Sequence, residues 1–233
     1  MTGRRVVILI SGRGSNMAAL IDAAQAPEYP AEIVGVISNR DDPKGLDIAT
    51  RKGVATRSLP SKGLSREAHD ALLDRELEAM GAEIVCLAGY MRLLTDAFVE
   101  KWQGRMINIH PALLPSLKGL DTHGRALEAG LRIHGCTVHF VTPEMDGGPI
   151  IAQAAVPVLL GDDAESLAAR VLEAEHRLYP MALGLVAEGK ARMEGARTVF
   201  AHVEDGTNRT DRIVSPLAGP GTPDLESLAR FTP

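Results

Sequence analysis

Asn108 and His110 are the residues whose types and spacing point most directly to chemistry. They follow the apolar pair 106–107 and lie two positions apart, so on a β-strand both side chains would face the same side. Pro111 cannot continue a central strand, which predicts that the pair lies at a strand end, where open α/β sheets build their active sites. An amide donor and an imidazole, with Asp146 in a later Gly-rich turn, form a set suited to acyl transfer. The alternative is a polar strand end with a hydrogen-bonded histidine.

The Gly-rich segment SGRGSN, residues 11–16, is a second candidate site. It is predicted between a strand and a helix, where glycines let the backbone approach a ligand and the helix N-terminus presents free N–H groups to an anion. A dinucleotide site would need a third glycine, but position 17 is Met, and it would need an acid after the second strand, which ends in Ser38-Asn39-Arg40. A monophosphate is the better fit, and a plain strand-to-helix turn is the alternative.

Four histidines, His110, His123, His134 and His139, raise the question of a metal site. Their spacing is not that of a tight ligand set and acyl transfer already uses His110, so we expect no metal. His139 lies in an apolar strand and is expected to be a packed, hydrogen-bonded core residue.

The elements that must position these residues alternate between strand-like and helix-like stretches. Strands are predicted at 6–10, 32–38, 54–59, 83–88, 105–109, 135–141 and 150–158, and helices at 16–24, 44–52, 65–80 and 164–179. This alternation predicts an α/β fold with a mostly parallel open sheet and helices on both faces, a Rossmann-type three-layer architecture. The last two strands are joined by the MDGGP turn without a helix between them. We expect one domain over residues 1–205 and an irregular tail over 206–233.

The composition favours a small-molecule partner. Apolar residues make up 45% of the 233 residues, and the net charge of −5 comes without a Lys/Arg block, which argues against nucleic acid or an anionic membrane. The sequence contains neither a signal-peptide core nor a run long enough to span a membrane, so a cytoplasmic location is expected. Cys86 and Cys136 lie in apolar runs and are predicted to be buried thiols.

From about residue 5 to about residue 203, the chain resembles the glycinamide ribonucleotide formyltransferases, folate-dependent enzymes of purine synthesis. The best-matched pieces are SGRGSN (11–16), LAGYMRLL (87–94), NIHPALLPSLKG (108–119), Thr122-His123, HGCTVHFVTPEMDGGPIIAQ (134–153) and Glu175-His176 before Tyr179-Pro180. Formyltetrahydrofolate deformylase and methionyl-tRNA formyltransferase share the central motif, but the first carries a regulatory domain before its first strand and the second an extra C-terminal domain. The chain begins at its first strand and only about 30 residues follow the match, so the nucleotide enzyme is favoured.

The resemblance implies transfer of a formyl group from 10-formyltetrahydrofolate, as co-substrate and without a metal, to the amine of glycinamide ribonucleotide, by a monomer or homodimer. The family's catalytic positions fall on Asn108, His110 and Asp146. Its nucleotide contacts fall on Gly14, Ser15, Asn16 and the 172–175 segment, which includes Leu172 and Glu175. Its folate contacts fall on Arg66, Met91, Arg92, Leu93, Leu94, Asn108, Thr142, Pro143, Glu144, Met145 and Asp146.

Three positions depart from the family pattern. Leu172 stands where relatives often have Gln, so a side-chain contact is lost there; Asp121 stands where some relatives have His; and Lys118 replaces a common proline, which would loosen its loop.

The residues suggest how the transfer would proceed. Asn108 would donate to the anionic oxygen of the tetrahedral species, and a protonated His110 would donate a second hydrogen bond and then protonate the departing folate nitrogen. Asp146 would favour the imidazolium or relay the amine's proton through water. The segment 111–130, with Pro, Gly and little periodicity, is interpreted as a lid over the folate or as an ordinary surface loop. A deformylase and a non-catalytic nucleotide-binding domain are the alternative functions.

Overall fold

The computed structural model describes residues 3–41 and 43–202 of the chain. Its strands are β1 (Arg4–Ile10), β2 (Ala31–Ser38), β3 (Thr56–Ser58), β4 (Ile84–Leu87), β5 (Met106–His110), β6 (Ile133–Phe140), β7 (Ile150–Pro157), β8 (Ala191–Glu194) and β9 (Arg197–Phe200). Its helices are α1 (Ser15–Ala24), α2 (Pro43–Arg51), α3 (Arg66–Ala79), α4 (Asp96–Lys101), α5 (Thr122–Glu128) and α6 (Ala164–Ala187).

The main sheet has the strand order β3-β2-β1-β4-β5-β6-β7. Strands β1 to β5 are parallel, whereas β6 runs antiparallel to β5 and β7 antiparallel to β6. The mostly parallel α/β sheet predicted from the sequence is therefore confirmed. The strand order reverses between β1 and β4, and ligands of open α/β sheets bind at such a point, outside the carboxyl ends of the strands.

Both faces of this sheet are buried, as a parallel sheet requires. All five residues of Val6–Ile10 are fully buried. Val6, Ile8 and Ile10 pack into the core under α1 and α6, while Val7 and Leu9 pack into the core under α3 and α4. The free thiols of Cys86 and Cys136 are buried, as predicted.

Tyr179 of α6 ties the long helix to the centre of the sheet. Its hydroxyl lies 2.9 Å from the carbonyl oxygen of Leu87, the last residue of β4, and 3.1 Å from that of Ile107, within β5. This buried hydroxyl fixes how α6, which also carries Glu175, sits above the strand ends.

Several elements differ from the sequence prediction. Helix α6 was expected to end at 179 but continues through Pro180 to Ala187, because buried residues such as Leu178 and Leu183 maintain its apolar face on both sides of the proline. Helices α4 and α5 have six and seven residues, too few for a readable period, and the β8–β9 hairpin has strands of four residues. The predicted strand at 54–59 shortens to β3.

Within the described residues, no helix is both long and apolar enough to cross a membrane. The predicted tail at 206–233 and the domain boundary at 205 lie outside the described residues.

Candidate active site

Asn108 and His110 lie on β5, as their spacing predicts. Asn108 pairs with His139 of β6 and His110 with Thr137 of β6 in the antiparallel register. The alternating residues Ile107 and Ile109 belong to the core under α6, so the two polar side chains share the opposite face of the strand. The strand thus brings both groups to the edge where β1, β4 and β5 end.

Both ring nitrogens of His110 face acceptors. Nδ1 lies 3.5 Å from Oδ2 of Asp146, and Nε2 lies 3.0 Å from the carbonyl oxygen of Leu117. The ring is therefore held between a carboxylate and a main-chain carbonyl oxygen, and either nitrogen can donate according to the tautomer.

Asn108 is oriented by His139, a role that sequence reasoning missed. The Asn108 side-chain nitrogen lies 3.1 Å from Nε2 of His139, and Nδ1 of His139 lies 2.9 Å from the carbonyl oxygen of Phe140. Burial lowers the pKa of His139, so the ring is neutral, donates through Nδ1 and accepts from Asn108 through Nε2. His139 was correctly predicted to be buried and hydrogen-bonded; the position opposite Asn108 in the β5–β6 register is the signal that could have revealed its contact.

Asp146 reaches His110 from the turn between β6 and β7. Its backbone adopts a left-handed conformation with φ of 50°, and its Oδ2 accepts a 2.9 Å hydrogen bond from the Gly119 N–H. A Cβ on Gly148 would lie only 1.8 Å from the carbonyl oxygen of Phe140, so this tight turn excludes any other residue there. The glycines of the MDGGP motif therefore let the carboxylate approach the histidine.

The segment 111–130 is more ordered than the sequence suggested, because it contains helix α5. Its first part is anchored to the sheet: the Leu114 N–H donates to Oγ1 of Thr137 at 3.0 Å, and Nε2 of Gln153 donates to the Leu114 carbonyl oxygen at 2.8 Å. The interpretation of all of 111–130 as a loop is therefore wrong for residues 122–128, which form α5.

Residues 116–121, between that anchor and α5, cover two of the three catalytic candidates, His110 and Asp146. They supply the Leu117 carbonyl oxygen to His110 and the Gly119 N–H to Asp146. Lys118, one of the three departures, pairs at 2.7 Å with Glu144, which is itself one of the residues assigned to folate. Asp121, the second departure, stands immediately before α5 with φ of 52°.

The structure brings together two of the residues assigned to the nucleotide. Nδ2 of Asn16 donates a 2.7 Å hydrogen bond to Oε2 of Glu175, while Oδ1 of Asn16 is buried without a hydrogen-bond partner in the described part of the chain. Burial raises the pKa of Glu175, and the bond from Asn16 opposes that rise. Gly14 caps α1 in a left-handed conformation with φ of 73°, and no side chain caps the helix. The first turn of α1 is thus open to an anion beside Ser15. Leu172 lies one turn before Glu175 on α6 and offers no polar group.

The residues assigned to folate form an exposed apolar edge beside this site. Met91, Leu93 and Met145 are 60%, 61% and 56% exposed, an arrangement typical of a binding surface. Thr142 and Pro143 line a cavity of about 340 Å³ against α4, and Asp146 lines another of about 430 Å³. Arg66, the first residue of α3, is exposed.

Arg92 differs from the other residues assigned to folate, because its guanidinium is used inside the protein. It donates to the carbonyl oxygens of Ser61, Leu64 and Ser65 at 3.4, 3.2 and 2.9 Å. The side chain stabilises the turn that leads into α3. A ligand that contacts Arg92 would therefore meet its main chain and not its guanidinium.

The remaining histidines pack against one another. The rings of His123 and His134 meet edge to face with centroids 5.4 Å apart, and burial lowers the pKa of His134 to about 4. Across the described ranges, no group of three or more His, Cys, Asp or Glu side chains is placed to hold a metal ion.

Comparisons with known proteins agree with this geometry. Residues 4–183 match the family model described as formyl transferase. The phosphoribosylglycinamide formyltransferase of Escherichia coli (strain K12) is 46% identical over 81% of this chain and 89% of its own length. The trifunctional purine biosynthetic protein adenosine-3 of Gallus gallus is 51% identical over 81% of this chain, which spans only 19% of that longer protein.

A solved structure extends the likeness to the fold. The crystal structure of phosphoribosylglycinamide formyltransferase from Brucella melitensis is 57% identical, covers 80% of this chain and 96% of its own, and superposes with a TM-score of 0.77. Because the family model covers most of the sequence and places Asn108, His110 and Asp146 within its range, the chain belongs to the formyl transferase family.

Proposed function

We propose that this chain transfers a formyl group from 10-formyltetrahydrofolate to the amine of glycinamide ribonucleotide in de novo purine biosynthesis. The observation that carries the proposal is the meeting of Asn108, His110 and Asp146 at the carboxyl edge of the sheet. The open N-terminus of α1 follows β1, and the exposed side chains of Met91 and Leu93 follow β4, so both lie at this same edge. A phosphorylated amine and a flat aromatic donor suit these two surfaces.

The catalytic residues divide the reaction between them. The substrate amine attacks the formyl carbon, forming an N–C bond and placing negative charge on the formyl oxygen. Asn108 uses one amide hydrogen on His139 and has a second for that oxygen, where His110 also donates. The C–N bond to the folate then breaks, the folate nitrogen takes a proton from His110, and the amine's surplus proton leaves through water towards Asp146.

The loop over the site must take part in this sequence. Nε2 of His110 and Oδ2 of Asp146 are hydrogen-bonded to the main chain of residues 117 and 119. A displacement of residues 116–121 frees both groups and lets the loop re-form over the folate, where it would exclude the water that hydrolyses the donor. The lid is thus proposed for six residues rather than for all of 111–130.

The substrate contacts follow from the chemistry of each surface. Gly14, Ser15 and Asn16 would hold the phosphate by N–H donors, whereas the carboxylate of Glu175 would accept from hydroxyl groups of the ribose. The folate would lie along residues 91–94 and 142–146, with Arg66 placed for an anionic group of the donor. A cytoplasmic location and a monomeric or homodimeric state remain predictions from the sequence.

One assay tests the proposal against its rivals. The full chain is given 10-formyltetrahydrofolate with and without glycinamide ribonucleotide, and both tetrahydrofolate and formylated ribonucleotide are quantified. We expect equal amounts of the two products and turnover that depends on the amine. Release of tetrahydrofolate without the ribonucleotide would identify a hydrolase, and binding of the ribonucleotide without turnover would identify a non-catalytic domain.

A further inference from the structure

Ser11, the first residue of the Gly-rich segment, makes two hydrogen bonds through one buried hydroxyl. Its Oγ accepts from the Met91 N–H at 2.7 Å and donates to Oδ1 of Asn39 at 2.5 Å, and the residue is only 2% exposed. The Ser11 N–H also donates to the carbonyl oxygen of Gly89 at 3.0 Å. Ser11 therefore holds the main chain on both sides of Tyr90.

Asn39 extends this contact to the neighbouring strands. The side-chain nitrogen of Asn39 donates to Oγ of Ser61 at 3.4 Å, and its main-chain carbonyl oxygen accepts from the Ser61 N–H at 3.0 Å. The main-chain carbonyl oxygen of Ser61 in turn accepts from the Arg92 guanidinium at 3.4 Å. Ser11, Asn39, Ser61, Met91 and Arg92 thus close a polar ring. The ring joins the segments that follow β1, β2, β3 and β4.

The ring determines which face of the 91–94 segment is presented outward. The Met91 N–H points inward to Ser11, whereas the Met91 side chain is 60% exposed. Without the Ser11 hydroxyl, the Met91 N–H and Oδ1 of Asn39 both lose a partner, and because a buried polar group without a partner is costly, a shift that restores one is favoured. Such a shift would displace the segment that carries Met91 and Leu93.

We propose that Ser11 is a positioning residue that fixes the main chain of residues 91–94 for the folate donor. This inference rests on the proposed function, because it takes that segment as the donor's binding surface. Ser11 is buried, so it would act on the donor indirectly, through the main chain of Met91, and not by direct contact. The residues assigned to the phosphate begin three positions later, at Gly14, so the KM for the ribonucleotide provides an internal reference for damage that is merely structural.

The test compares Ser11→Ala with Ser58→Ala. Ser58 also lies at the carboxyl edge, as the last residue of β3, but it is exposed and, among the described residues, its hydroxyl bonds only to Asp41 at 3.4 Å. For Ser11→Ala we expect KM for 10-formyltetrahydrofolate and Kd for tetrahydrofolate to rise about tenfold, the size expected from one lost buried hydrogen bond. The kcat and the KM for the ribonucleotide should change less than about twofold, and Ser58→Ala should match the wild type.

Asn39→Ala provides a second variant that leaves the Ser11 hydroxyl in place. It should raise KM for the donor less than Ser11→Ala does, and the double variant should resemble Ser11→Ala alone, because both changes act through the same hydroxyl. If Ser11→Ala does not fold, Asn39→Ala and Ser11→Thr, which keeps the hydroxyl, carry the test. Asn39→Ala should then raise KM for the donor, and Ser11→Thr should retain tight donor binding.

The outcomes separate the inference from the function on which it rests. If the wild-type chain fails to transfer the formyl group, the proposed function is wrong. If the wild type is active but folded Ser11→Ala keeps its KM for the donor, or if both substrate KM values rise equally, the positioning role is wrong. Additive effects of Ser11→Ala and Asn39→Ala would also overturn it.

Discussion

The side-chain amide of Asn108 donates a hydrogen bond of 3.1 Å to Nε2 of His139 on the neighbouring antiparallel strand. The Phe140 carbonyl oxygen fixes the tautomer of His139, and burial keeps the ring uncharged. The direction of the Asn108 amide is therefore set by a residue outside the predicted catalytic set.

Replacing His139 should weaken catalysis more than binding. His139→Ala leaves Asn108 without its acceptor, so the amide no longer holds one orientation and kcat should fall about tenfold. The KM values for both substrates should change little, because Asn108 acts mainly in the transition state. Steady-state kinetics of His139→Ala and of His202→Gln, an exposed histidine, would check this, and an unchanged kcat in His139→Ala would refute it.

Asn108 and His110 should act as a unit. Removal of one oxyanion donor typically costs about 10²–10³ in kcat, so Asn108→Ala should lose about that much with little change in KM. His110→Ala should lose at least as much, since it also removes the proton donor. The double variant should lose less than the product of the two, and cleanly multiplying effects in single-turnover measurements would contradict a shared oxyanion site.

The turn that holds Asp146 should tolerate no side chain at Gly148. A Cβ there would meet the Phe140 carbonyl oxygen at 1.8 Å, so Gly148→Ala must move the turn and the carboxylate away from His110. A displacement of that kind should cost about 100-fold in kcat. Gly184→Ala is the matched control. Gly184 lies within α6, and its new methyl group would contact the Tyr29 ring at an ordinary 3.8 Å. Because Ala favours a helix more than Gly does, this variant should be more stable by about 1 kcal/mol. Equal activity of the two variants would show that the turn does not position Asp146.

Glu175 should lower stability at neutral pH while it serves the nucleotide. Burial raises its pKa, so the folded protein holds this proton more tightly than the unfolded chain, and the free energy of unfolding falls as the pH rises through the interval between the ordinary and the raised pKa. Glu175→Gln keeps an acceptor for Asn16 without the charge. We expect a higher Tm than wild type at pH 8, convergence at pH 4, and a KM for the ribonucleotide raised about tenfold. A Tm difference independent of pH would argue against a buried charge.

His134 should have the opposite effect at acidic pH. Its pKa falls from 6.5 to about 4 on burial, so between these values the unfolded chain takes up a proton that the folded protein does not. The free energy of unfolding should therefore decrease as the pH falls from 6.5 towards 4. Urea unfolding across this range should give a shallower decrease for His134→Gln than for wild type or His202→Gln. Parallel curves for all three proteins would contradict the shift.

The position of Asn108 and His110 at a strand end was predictable because it depends on local rules. The period of two along a strand and the inability of Pro111 to continue it place Asn108 and His110 correctly. The contact with His139 depends instead on the β5–β6 register, which no local pattern specifies. The approach of Asp146 depends on a left-handed turn, for which the sequence offers only the Gly-Gly pair that follows.

The predicted elements were also wrong where contacts distant in sequence, and not local patterns, decide the structure. Pro180 usually ends a helix, but the packing of Leu178 and Leu183 on both sides of it outweighs the local penalty. Helix α5 begins after Asp121, which adopts a left-handed conformation and makes no side-chain cap bond, and its seven residues are too few to show a helical period. The bracing role of Arg92 could not be read from its motif, because its carbonyl partners lie about 30 residues earlier.

The bond between Asn16 and Glu175 has a consequence for biosynthesis of the protein. The two residues are 159 positions apart, so the Gly-rich segment leaves the ribosome long before its buried partner Glu175 has been synthesised. A nascent chain that ends before α6 carries SGRGSN but has neither the carboxylate nor the Tyr179 hydroxyl that seats the helix. If the ribonucleotide binds both segments, as proposed, it can stabilise only a chain long enough to contain α6.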